Sequence, residues 1–249
     1  MHKSRQEMLA DTGIYHKIWK GHNGEKILNT YEQKQNYLAA LCKYKTAEIS
    51  ANVKWHSYCI MSNHPHETGS VGWDVTVKNR LKKGIKSFGN WMRNAHSVYG
   101  MWYNKSNERF GKVSSARPKT IQIKSFVDVL NAMFYGDANP VRAGIVNHPS
   151  KYKWSSYNFY AHGITNEYTG SLDIPEAYIA LGKSQKLRQR AYRSLMAAYL
   201  RKNGLLPENA ENAEELLTAD KLLAMYASIF DAINGTIALA GRKIVENPG

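Results

Sequence analysis

Apolar and polar positions along the chain change period several times, and each change marks an element. Residues 13–20 (Gly13-Ile14-Tyr15-His16-Lys17-Ile18-Trp19-Lys20) alternate loosely and are rich in β-formers, which predicts a strand. Gly21-His22-Asn23-Gly24 is turn chemistry, and Thr30 is placed to cap a helix in which Tyr37, Leu38, Leu41 and Tyr44 recur at helical spacing as far as Ile49. Residues 53–60 form a second strand by residue type, and a short third strand falls within 64–72. A basic helix over 76–100, weakened by Gly84 and Gly89, leads to a strand at 119–124. A helix over 125–138 follows, with Phe126, Val129, Leu130 and Met133 on one face. The order β-α-β-β-α-β-α predicts an α+β, ferredoxin-like antiparallel sheet with helices on one face. An aromatic, turn-rich connector spans 145–172, and helices are expected at 174–181, 184–202 and 212–240. The domain reading is therefore 1–172 for the main domain with its connector and 173–249 for a C-terminal helical extension.

Charge changes the picture. The chain of 249 residues carries 34 Lys+Arg against 20 Asp+Glu, a net of +14, which points to a polyanionic partner. Almost all of the excess lies in the first 150 residues, with 22 basic and 10 acidic side chains. Residues 75–107 hold Lys78, Arg80, Lys82, Lys83, Lys86, Arg93 and Lys105 without an acid. Arg109, Lys112, Arg117, Lys119 and Lys124 extend the tract, with Trp91, Tyr99, Trp102 and Tyr103 among them. Cations for phosphates interleaved with aromatic faces for unstacked bases suit single-stranded or hairpin nucleic acid. Two cysteines exclude a disulfide framework, and no run approaches the roughly 18 apolar residues of a membrane span. With no apolar signal segment at the N-terminus, the expectation is a cytoplasmic protein, nucleoid-associated when bound to DNA.

Two short constellations carry candidate chemistry. In Met61-Ser62-Asn63-His64-Pro65-His66, residues i and i+2 of an extended backbone share a face, so His64 and His66 can present two imidazoles to one ion. In Phe134-Tyr135-Gly136-Asp137-Ala138-Asn139-Pro140-Val141-Arg142-Ala143-Gly144, Tyr135 and Asn139 stand at i and i+4 near a helix end that Pro140 is expected to fray. Taken singly, the first is one H-x-H among nine histidines and the second reads equally as a helix stop. Gly182-Lys183-Ser184 lacks the earlier glycine of a phosphate loop.

Together, in this order, the segments resemble the HUH-motif single-tyrosine transposases that act on single-stranded DNA, and especially the REP-associated tyrosine transposases. Tyr15 to Asn23 resembles that family's first strand and turn, Tyr58 to His66 its histidine strand, and Asn139 to Gly144 its Asn-Pro-Val-Arg-Ala-Gly segment. The resemblance covers about residues 13–160. It implies that Tyr135 is the nucleophile, that His64, His66 and Asn139 hold a divalent cation (Mg²⁺ or Mn²⁺), and that a 5′-phosphotyrosine intermediate forms. It implies as partners single-stranded or hairpin DNA, bound through Lys78, Arg80, Lys82, Lys83, Lys86, Arg93, Arg109, Arg117, Lys119 and Arg142, with a homodimer compatible and no membrane. The chain departs from the family at Pro65, normally bulky and apolar, and at Glu67, where an aliphatic residue is common. That departure supports the alternative of a non-catalytic nucleic-acid-binding protein on the same scaffold.

Overall fold

The computed structural model describes residues 9, 12–72, 78–114, 117–125 and 127–206. Four strands, β1 (Ile14–Ile18), β2 (Val53–Ile60), β3 (Pro65–Val71) and β4 (Lys119–Gln122), form one antiparallel sheet in the order β2-β3-β1-β4. This is the ferredoxin-like order expected from the sequence, and the fold is mixed α+β. The helix expected from 212 to 240 lies outside the described residues.

Helices cover both faces, so the one-face expectation accounts for only part of the layering. Tyr15, Lys17, Trp55, Tyr58 and Glu67 point to one side, where the helices Tyr31–Tyr44 and Lys78–Ser106 pack on each other and on the sheet. Phe88 and Trp91 anchor the longer helix against Tyr15 and Trp55, with ring centroids 4.4 and 5.7 Å apart. The helix Val127–Arg142 crosses the opposite face: a Cβ built on Gly136 would stand 3.6 Å from His66 Cβ and 3.9 Å from Cys59 Cβ. Sequence period alone reports that a helix has an apolar side, not which face of a sheet receives it.

Local chemistry accounts for most element ends. Thr30 closes a capping box: its hydroxyl accepts from the Gln33 amide while Gln33 Oε1 accepts from the Thr30 amide, both at 3.1 Å. That helix stops at Tyr44 rather than Ile49, because Lys45 leaves helical geometry and Thr46 caps a separate turn, Ala47–Ser50. Gly84 does not interrupt the basic helix; it permits close approach, since a Cβ there would meet the Gly72 amide nitrogen at 2.7 Å. The helix expected to fray before Pro140 continues through it to Arg142. Its end is a Schellman closure: Gly144, at φ +67°, donates to the Val141 carbonyl and Ile145 to the Pro140 carbonyl. Packing of Met133, Phe134 and Ala138 outweighs the local preference of a residue before proline.

Contacts divide the chain after Ile174 into a unit ending there and a unit beginning at Pro175. In the second unit the helix expected at 174–181 is reduced to Glu176–Ile179, and Ser184 caps the helix Gln185–Lys202 by accepting from the Leu187 amide.

Candidate active site

The strand period puts His16, His66 and Thr68 on the face covered by the helix Val127–Arg142. His66 pairs with Ile18 and His16 with Thr68, so the two histidines are diagonal neighbours across β1 and β3. His16 Nε2 and His66 Nδ1 lie 2.9 Å apart, and Thr68 Oγ1 reaches His16 Nδ1 at 3.4 Å. His64 stands just before β3, its ring centroid 4.7 Å from that of His66. Its Nδ1 donates to Asn63 Oδ1 at 2.6 Å, which leaves Nε2 with its lone pair.

Tyr135 reaches this cluster from the covering helix. Its ring lies 5.7 Å from that of His16 and 5.6 Å from that of His66, edge-on to both, with 42% of the residue exposed. The Arg142 guanidinium lies 5.1 Å from the Tyr135 ring centroid. Arg142 Nη1 donates to Asn139 Oδ1 at 3.1 Å, and Asn139 Nδ2 donates to the Tyr135 carbonyl at 2.8 Å. The structure thus brings together Tyr135, His64 and His66. Asn139 is tied to the backbone of Tyr135, but its amide oxygen is occupied by Arg142.

The imidazoles are held neutral. Burial pulls His66 down to about 2, reinforced by the nearby His16, His64, Arg142 and Lys20. Burial alone brings His16 to about 4, while His64 is lowered by burial and by Lys20. His66 Nε2 is buried with no hydrogen-bond partner. A neutral imidazole with one nitrogen hydrogen-bonded and the other bare has the form of a metal ligand backed by an orienting group. Among the described residues no three His, Cys, Asp or Glu side chains are grouped to hold a metal, and His16 Nε2 is engaged with His66 Nδ1.

The departures at Pro65 and Glu67 have structural accounts. Pro65 is the first residue of β3, where a missing amide proton is tolerated, and the strand runs unbroken to Val71. Glu67 points to the opposite face and pairs with buried Lys17, 2.6 Å from Nζ to Oε1.

No family model and no curated protein matches this sequence. A solved structure of a REP-associated tyrosine transposase bound to a REP hairpin is similar to this chain at a TM-score of 0.43 and 16% identity, covering 67% of this chain and 89% of that one.

The basic residues divide. Lys82, Lys83, Lys86 and Arg93 are exposed on the helix that packs on the Tyr15 face, so the sheet separates them from the histidines. The side chains of Lys78 and Arg80 lie outside the described part. Arg117 and Lys119 are exposed at the start of β4, next to the end of β1 that leads to Lys20. Arg109 is committed internally, 2.8 Å from Glu25 and over the Tyr103 ring. Trp91, Tyr99 and Tyr103, expected as stacking aromatics, are buried in the core, and Trp102 packs against it. Sequence reasoning missed His16, Lys20 and Asn63. Their position on or beside the family-like strands was visible, but their juxtaposition depends on strand register.

Proposed function

We propose that the protein is a DNA-processing transposase of the single-tyrosine HUH class, cleaving and rejoining single-stranded, hairpin-bearing DNA. The observation that carries this reading is Tyr135 set against His66, a residue far away in sequence on another element, with the phenol still reached by solvent. A nucleophile beside two neutral imidazoles with available nitrogens is a constellation for phosphoryl transfer.

The residues fit a divalent cation: His64 Nε2 and the bare His66 Nε2 would hold it, and Asn139 would join them if its oxygen turned from Arg142. With Mg²⁺ or Mn²⁺ held by these residues, the site would gain positive charge to neutralise the phosphate. His16 holds the His66 ring through Nδ1, and Asn63 does the same for His64. Tyr135 Oη attacks phosphorus as its phenolic proton leaves to solvent, the bond to the 3′ oxygen breaks, and that oxygen takes up a proton from solvent, leaving a 5′-phosphotyrosine and a free 3′ hydroxyl. Arg142, over the Tyr135 ring, and Lys20, beside the histidines, add positive charge where the phosphate would enter.

The test is covalent capture. Protein incubated with a labelled hairpin-bearing single strand and Mn²⁺ should give a band that survives denaturing electrophoresis. Tyr135→Phe removes one oxygen and little volume, so it should keep fold and DNA binding and lose the adduct. An adduct that persists in Tyr135→Phe places the nucleophile elsewhere. DNA binding without any adduct in the unaltered protein supports the binding-only alternative.

A further inference from the structure

With Trp91, Tyr99 and Tyr103 buried and Trp102 packed against the core, an aromatic side chain of the basic tract that is open to solvent is one the sequence patterns did not single out. Phe110 is 95% exposed, the highest value among the large exposed apolar side chains of the described residues. It stands in the loop between the Lys78–Ser106 helix and β4. From Lys105 to Lys119 this stretch holds five basic residues and one acid, Glu108. Lys105, Lys112, Arg117 and Lys119 are exposed.

The backbone around Phe110 is pinned on both sides. Before it, the Arg109 amide donates to the Asn104 carbonyl at 3.0 Å, and the Arg109 guanidinium is clamped by Glu25 and Tyr103. After it, the Gly111 carbonyl accepts from Asn104 Nδ2 at 2.9 Å, and the Val113 carbonyl accepts from the His22 amide at 3.0 Å. The side chain is therefore presented from an ordered loop, not from a tail, and ordering it on contact costs little.

The loop is also tethered to the histidine end of the sheet. Gly21 bridges to Ser114, and the Gly21 amide donates to the carbonyl of Asn63, the residue whose side chain holds His64. An apolar face fixed in a cationic loop tethered to the proposed phosphate-processing site is chemically matched to single-stranded DNA. Cations take the phosphates of a flexible strand while the ring takes an unpaired base, and the pairing is sequence-tolerant because every base has a π-face.

We infer that Phe110 is a base-stacking residue for single-stranded DNA leading into the Tyr135 site. This rests on the DNA reading above and adds to it a contact residue and the face of DNA it takes.

The experiment measures binding of the full-length protein to labelled short oligothymidine and to the same strand with abasic positions, by fluorescence anisotropy at fixed salt. Phe110→Ala should weaken oligothymidine binding at least about fivefold and leave the abasic strand unaffected, and Phe110→Trp should retain affinity. Phe110→Leu, apolar but without a π-face, should fall with alanine. Unchanged oligothymidine affinity in Phe110→Ala, or an equal loss on the abasic strand, overturns the inference while leaving DNA processing standing. A concentration-dependent dimer in sedimentation that Phe110→Ala dissolves assigns the ring to a second copy of the chain and likewise overturns it. Failure of the unaltered protein to bind either strand removes both readings.

Discussion

Lys17 and Glu67 are fully buried charges one position away from the two sheet histidines, and strand alternation sends them to the opposite face. Every proton of the Lys17 ammonium is used: it donates to Glu67 Oε1 at 2.6 Å, to Tyr37 Oη at 3.1 Å and to His96 Nε2 at 3.2 Å. Tyr37 Oη in turn donates to Glu67 Oε1 at 2.7 Å, and burial, followed by the carboxylate beside it, pushes the Tyr37 phenol well up. Trp19 closes the group by stacking on His96 at 4.2 Å. A buried pair of this kind is costly to break because the remaining charge has no water. Lys17→Met alone should therefore destabilise the fold by roughly 3–5 kcal/mol. The double change Lys17→Met with Glu67→Leu should recover most of that loss, and urea unfolding of the two variants would show it. Equal loss in both would mean that the cost lies in packing, not in charge.

At the scale of elements, the connector after the Tyr135 helix closes the outer edge of β2. An open edge strand is a template for unwanted pairing, and here it is covered along its length. The Ile60 amide donates to the Trp154 carbonyl, the Ser156 amide to Tyr58, and the Asp173 amide to Trp55. Tyr152 and Tyr160 hydroxyls donate to the carbonyls of Ile60 and His56, each at 2.6 Å. His56 is the extra residue of a bulge between Trp55 and Ser57. Its Nδ1 donates to the Asp173 carbonyl and its Nε2 accepts from Ser70 Oγ, so it is a neutral imidazole, and burial brings it to about 4.

Burial alone would raise the Asp173 carboxyl. Hydrogen bonds from Lys45 and the Trp55 amide, with the charges of Lys45 and Lys54, hold it below the ordinary value. The signs run the same way for both groups. His56 is lowered relative to the unfolded chain, so its contribution is complete above about pH 6.5 and declines as pH falls towards 4. The Asp173 contribution is present above about pH 3.9 and is lost as pH falls through its depressed value. Urea midpoints should thus fall in two stages on acidification. His56→Gln should make the first stage shallower. Asp173→Asn should be less stable at neutral pH and converge with the unaltered protein in the second stage. Parallel curves at all pH values would exclude these groups as the source.

In the first unit, the exposed cations expected to meet DNA lie on two separate surfaces. One lies along the exposed side of the Lys78–Ser106 helix, with Lys82, Lys83, Lys86 and Arg93; the other surrounds the histidine end of the sheet, with Lys20, Lys119, Arg117 and Arg142. Bound single strands release counterions with a log–log slope of about −0.7 per neutralised phosphate, so affinity should fall steeply with salt. Charge reversal of Lys82 and Lys83 to Glu should flatten that slope and weaken all sequences alike. Reversal of Lys119 should reduce adduct formation more than equilibrium binding, because it stands beside the strand that carries His16. Salt titrations and adduct yields on the same samples separate the two. A salt-independent affinity would remove the phosphate assignment of both surfaces.

The sequence by itself determined the strands, the order of elements and the Thr30 cap, because each is written in local periodicity or short-range chemistry; Tyr135, His64 and His66 stood out only through the resemblance of their segments to a known family. The α+β, ferredoxin-like sheet followed from that order. Tertiary structure alone decided which face each helix covers, that the Asn139-Pro140 turn stays helical, and that Trp91, Tyr99 and Tyr103 belong to the core rather than to nucleic acid. It also decided the pairing of His16 with His66 and of Lys17 with Glu67. These depend on the register of β1 against β3, which places residues fifty positions apart in contact. A single-residue slip in that register would send every side chain of the strand to the other face, and no local pattern in either strand encodes the partner across the ladder.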